Sequence, residues 1–254
     1  MAKNNLVFQN RSKRLQSHLP KVEGESLTGY TICINIHTMA NIIIQISAVL
    51  ASAVPFVSIA AVCVAAVLLV AYVFSGISHP VLMRALGWCF GIVVGLQIFS
   101  IAMLYIGQYA VWSQSPVSQY FLPPHQSIAY FMRYSWFHFA RGPAVTFGVG
   151  MLFFILFHIG YKISAGRFFY QDEEYTGALA ILANPWPQNI LVIGCVLVLG
   201  LAIACVRVGV SCIRRAYVPQ TLFSLRMLWP LVGLFMVFFG NRVTAMLGLD
   251  ILNL

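Results

Sequence analysis

Residues 49–74, VLASAVPFVSIAAVCVAAVLLVAYVF, decide the class of fold. The stretch carries no charge, and its polar groups are two serines, a cysteine and a tyrosine. As a helix at about 1.5 Å per residue it is roughly 39 Å long, more than the roughly 30 Å hydrocarbon core of a bilayer. In hydrocarbon every backbone amide must be satisfied within the segment, and a helix does that.

Working outward, the rest of the 254 residues has the same character. The chain is 60% hydrophobic and 8% charged, with a mean hydropathy of +0.86. Soluble domains carry roughly a quarter charged residues, and a soluble fold of this size has too much surface to hide so much apolar area. Further apolar stretches occupy about 82–109, 143–162, 189–210 and 228–247. We therefore expect an all-α fold, a polytopic membrane helix bundle of five transmembrane helices with six as the alternative, and an amphipathic N-terminal helix.

That helix is read from the stretch before residue 49. At 100° per residue Thr31, Asn35, Thr38, Asn41 and Gln45 share one face, and Ile32, Ile36, Met39, Ile43 and Ile46 the other. It either lies at the interface and leads into one long span, or forms a span of its own that turns at Pro55. Residues 1–30 read as a basic cytoplasmic tail without the apolar core of a cleavable leader, and 31–250 as one transmembrane helical domain.

Fifteen Lys and Arg oppose six Asp and Glu. They sit in the tail and between apolar stretches, as orientation against an anionic leaflet requires, and nucleic acid is not an expected partner. One span before residue 74 puts the tail, Arg133, Arg141 and the connector from Arg207 to Arg226 on one side, eleven basic residues against four. Two spans there give nine against six. The positive-inside rule favours the first, with the N-terminus cytoplasmic in a bacterial-type inner membrane. The connecting stretch 164–188, SAGRFFYQDEEYTGALAILANPWPQ, is the most hydrophilic interior segment and reads as a solvated loop.

Gly87, Gly91 and Gly95 repeat at four-residue spacing, and Gly142, Thr146 and Gly150 repeat the small-residue pattern. Such faces let two helices approach closely where lipid supplies no hydrophobic drive for association. They serve either another subunit or packing within this chain, with Gln97 as a polar bond beside them. The Asn35, Thr38, Asn41 and Gln45 stripe fits an interfacial position, with a polar path as the alternative.

Six cysteines show no C-x-x-C and no metal-ligand clustering, so no metal is expected. Histidines invite haem, but His138 and His158 are about 30 Å apart along a helix, and only His37 with His158 has any prospect of meeting. No cofactor is expected. His37-x-x-x-Asn41, Phe154-x-x-x-His158 and Glu173–Glu174 match fragments of an intramembrane-protease signature, but in the wrong order and without its arginine. No catalytic set or nucleotide loop follows.

The sequence thus leads to a non-enzymatic integral subunit of a larger membrane assembly, of the secretion, conjugation or transport kind. Its partners would be the lipid bilayer and other membrane subunits or further copies of itself. A small transporter or channel using the polar stripe, and a b-type cytochrome subunit, are the alternatives.

Overall fold

The computed structural model describes residues 27–164, 170–214 and 225–249, with the backbone alone for 27–37 and 211–214. The tail and the side chains of Asn35 and His37 therefore lie outside the described residues. The chain divides into a unit of residues 1–40, in which a helix begins at Leu27, and a unit of residues 41–254 that holds the bundle.

All the described regular elements are helical. They are α1 (Leu27–Ser75), α2 (His79–Gln114), α3 (Ile128–Ser135), α4 (Arg141–Ser164), α5 (Gln171–Leu182), α6 (Gln188–Arg214) and α7 (Leu228–Met246). A π-helical turn, Trp136–Ala140, joins α3 to α4 without a break. Five helices are long and apolar enough to cross a membrane: Thr38–Ser75, His79–Gln114, Ile128–Ser164, Gln188–Val210 and Leu228–Met246. The all-α membrane bundle is thus present. Pro55 lies inside α1, which runs on past it, so the turn required by two spans before residue 75 is not formed. A proline costs α1 one hydrogen bond, which a membrane helix tolerates where neighbours pack against it.

The short helix α5 is the exception to every expectation from composition. Residues 171–188 are not a solvated loop, and 165–169 lie outside the described residues. From Asp172 to Leu182 every residue of α5 except Tyr175 is buried, and the helix packs against α2, α4, α6 and α7. Its twelve residues measure roughly 18 Å, too short to face lipid across a bilayer. Surrounded by protein, it faces almost none.

Contacts at its two ends set its direction. The first turn meets the end of α4, where His158 Nδ1 lies 3.0 Å from Glu174 Oε2, and the start of α7, where the Leu225 N–H donates to Glu173 Oε1 at 2.7 Å. Its last residue meets Gln97 in α2 and Gly150 in α4. The turn beyond reaches Thr146 early in α4 and, through Gln188, Asn241 near the end of α7. The chain therefore passes through the bundle as α5 and returns as α6.

Basic residues mark two levels. Arg84 and Lys162, both exposed, and Arg226 stand at the carboxylate end of α5; Arg141 and Arg242, both exposed, stand at the other. Along α4, Arg141 and Lys162 are about 31 Å apart, one hydrocarbon thickness. Beyond the second level, Trp112, Leu122 and Phe131 form a separate buried aromatic cluster with Tyr105 and Tyr134 packed on it. Rings of this kind collect at headgroup depth.

This path corrects the charge argument. Arg133 and Arg141 stand at the aromatic end, whereas α7 begins with Arg226 at the carboxylate end. The five-span reading put the two groups on one side because it did not count α5 as a passage.

Candidate functional site

The site is α5 with the residues that let a short helix begin and end inside a membrane protein. A helix leaves its last four carbonyls without intrahelical donors, and in hydrocarbon each orphan is costly. Here each one has a partner. The Leu179 carbonyl accepts from the Ala183 N–H at 3.0 Å, and that of Ile181 from the Asn184 N–H at 3.2 Å. Asn184 Nδ2 donates to the Ala180 carbonyl at 2.8 Å and to that of Gly233 in α7 at 3.1 Å. Gln97 Nε2 donates to the Leu182 carbonyl at 3.1 Å. The following turn is tied by the Trp186 N–H, which donates to Thr146 Oγ1 at 2.9 Å, and by Gln188 Nε2, which donates to Asn241 Oδ1.

The opposite end holds the charge. Asp172, Glu173 and Glu174 are each about 1% exposed. Carboxylates at a helix N-terminus face its positive end and its free N–H groups; Glu173 Oε2 accepts from the Tyr170 N–H at 3.4 Å, while the Glu173 N–H donates to the Tyr170 carbonyl at 3.1 Å. Arg226 pairs with Asp172 at 3.6 Å, and its guanidinium lies 5.4 Å from the ring centres of both Tyr72 and Tyr170. With His158 against Glu174, the first turn of α5 is clamped to α4 and α7.

Close packing continues along α5. A Cβ on Gly233 would come within 2.9 Å of Ala180 Cβ, and one on Gly150 within 2.5 Å of Leu182 Cδ2. Glycine is needed there because α4 and α7 approach α5 too closely for a side chain.

The expected site residues divide accordingly. Gln97, Thr146 and Gly150 converge on the end of α5, so their role is internal. Gly91, Gly95 and Gly142 are exposed, and a Cβ on any of them would meet nothing within 4 Å among the described residues. Gly87 lies between, its nearest neighbour the Tyr175 ring at 4.0 Å. Thr38, Asn41 and Gln45 are exposed, as are Met39 and Ile46 on the other face of α1, where Ile43 is half-buried. Asn35 lies outside the residues whose side chains are described.

Sequence reasoning missed Asp172, Glu173, Glu174, His158, Asn184 and Arg226 as a set. One signal was present: an acidic triplet, then a small apolar stretch, GALAIL, closed by Asn-Pro-Trp-Pro. Among the described residues no three His, Cys, Asp or Glu side chains are placed to hold a metal ion.

Comparison with known proteins finds no relative: no family model matches the chain, and neither does any curated protein or solved structure.

Proposed function

We propose that this chain is a non-enzymatic subunit of a larger membrane assembly, such as a secretion, conjugation or transport apparatus. We place it in a bacterial-type inner membrane with its basic tail in the cytoplasm. The observation that carries this reading is the open face of α2 at Gly91 and Gly95. Both glycines are exposed with no described residue within 4 Å of a Cβ built on them, and they are flanked by the exposed side chains of Trp88, Ile92 and Phe99. A groove of this kind on a helix already packed through its opposite side suits a second helix from another chain. The exposed Ile42, Ile46 and Val49 of α1 add apolar surface of the same sort.

Crosslinking in native membranes followed by mass spectrometry tests it. Gly91→Leu with Gly95→Leu should abolish crosslinks from α2 to other proteins while the protein stays inserted and monodisperse. An unchanged partner set in that variant would refute the reading.

A second reading, a small transporter or channel, is favoured by one specific observation. Broken helices with buried charge are the way membrane carriers place ion sites, and α5 carries three buried carboxylates at its first turn. This version replaces the Asn35–Gln45 stripe as the polar path. It requires ion flux in proteoliposomes of the purified chain that Glu174→Gln removes; absence of flux in the unaltered protein retires it.

A further inference from the structure

A cavity of about 260 Å³ opens beside the C-terminal end of α5, between α1, α2, α4 and the turn that leads into α6. Its rim is made of small or ring-closed residues that are exposed, among them Ala51, Pro55, Gly142 and Pro185. Its floor is different. Ser58, Gln97, Ser100 and Thr146 line it, and all four are more than nine-tenths buried.

Two of these floor residues have unspent hydrogen-bonding capacity. Gln97 and Thr146 are engaged with the end of α5, through the Leu182 carbonyl and the Trp186 N–H. Ser58, 2% exposed, and Ser100, 8% exposed, make no side-chain hydrogen bond among the described residues. A serine in a helix ordinarily satisfies its hydroxyl on the carbonyl one turn back, as Ser47 and Ser52 do on the same helix as Ser58. Pro55, on the rim, has no N–H to offer the carbonyl of Ala51 and so removes the ordinary donor of that group. Buried polar groups in native proteins have partners, whether protein, water or ligand. No charged side chain lines the space, so an ion would enter it uncompensated.

We propose that this cavity binds a neutral, largely apolar small molecule carrying a hydroxyl or carbonyl group, with Ser58 and Ser100 as its hydrogen-bonding partners. An apolar cavity of about 150 Å³ accommodates benzene; this one suits a body of roughly ten heavy atoms by the same comparison. Its position next to the Arg141 level sets the polar group of such a molecule near headgroup depth, with an apolar rim around it. Two sources supply this chemistry, a free alcohol-like solute and the hydroxyl of a neutral glycerolipid. The site stands independently of either reading of the protein's function.

The test uses the full chain in nanodiscs and a photoreactive octanol bearing a diazirine. Labelling should saturate and map to residues 51–58, 97–104 or 182–186. Ser58→Ala with Ser100→Ala should raise the half-saturating concentration roughly tenfold, as expected for hydrogen bonds of ordinary strength. Ser100→Leu, which fills the cavity, should remove the labelling; if that variant fails to fold, the double alanine variant decides. Competition by unlabelled dioctanoylglycerol would identify a lipid occupant, and competition by unlabelled octanol alone a free solute. Labelling that rises linearly with concentration, or that the serine variants leave unchanged, overturns the proposal.

Discussion

Gln97 in α2 donates its side-chain amide to the carbonyl of Leu182, the last residue of α5, at 3.1 Å. A polar residue in the middle of an apolar span thereby completes a helix eighty-five positions away in sequence. Gln97→Leu should leave the Leu182 carbonyl without its donor and destabilise the bundle by about 0.6 kcal/mol, the average worth of such a bond in a membrane protein. Unfolding in mixed micelles measures it, and equal stability of the variant would show that the cap contributes nothing.

The glycines separate into two groups with opposite tolerance. Gly233→Val places its Cβ 2.9 Å from Ala180 Cβ and 3.3 Å from Ala180 Cα, where neither helix can yield. Overpacking of this sort costs about 1–3 kcal/mol. The Cβ of Gly95→Val meets nothing within 4 Å among the described residues, and this change should leave the isolated chain unaffected. Thermal aggregation of the two purified variants compares them; equal losses would mean that α5 is not gripped as described.

Much of this was legible beforehand, and the part that was not has a physical cause. The five long helices follow from hydropathy, because lipid imposes length and composition on anything that faces it. Gly150 and Thr146 were legible as a small-residue face, though not that Leu182 and Trp186 would occupy it. Helix α5 escaped because it does not face lipid: its Asp172, Glu173 and Glu174 read as a solvated loop, and only six apolar residues follow. Their partners His158 and Arg226 come from other helices, and no local pattern joins them. Pro55 left a turn between two spans open as the alternative to one long span, and α1 runs on past it as the charge balance favoured.

Asn189 is wholly buried on the inward face of α6, with neither amide atom hydrogen bonded among the described residues. An unsatisfied buried amide costs about 1–3 kcal/mol. Asn189→Leu, similar in volume, should therefore stabilise the protein by roughly that amount. A loss of stability instead would reveal a partner that the isolated chain lacks.

Arg226 holds Asp172, whose side chain is 2% exposed, while Arg242 at the other end of α7 is itself exposed. Removing one member of a buried pair leaves a charge without compensation and costs roughly 3 kcal/mol or more; Arg226 is partly exposed, so about 2 kcal/mol is the expectation here. Arg226→Ala should lower the midpoint of denaturation well below that of Arg242→Ala. Indistinguishable midpoints would remove the clamp on α5.

The passage of α5 through the bundle is tested most directly by single cysteines at Gln119 and Leu225, in a cysteine-free background, reacted with a membrane-impermeant maleimide from either side of the membrane. A short sixth passage places the two on opposite sides, so each is labelled from one face only and the faces differ. Labelling of both from the same face would mean that 171–187 is a surface loop after all.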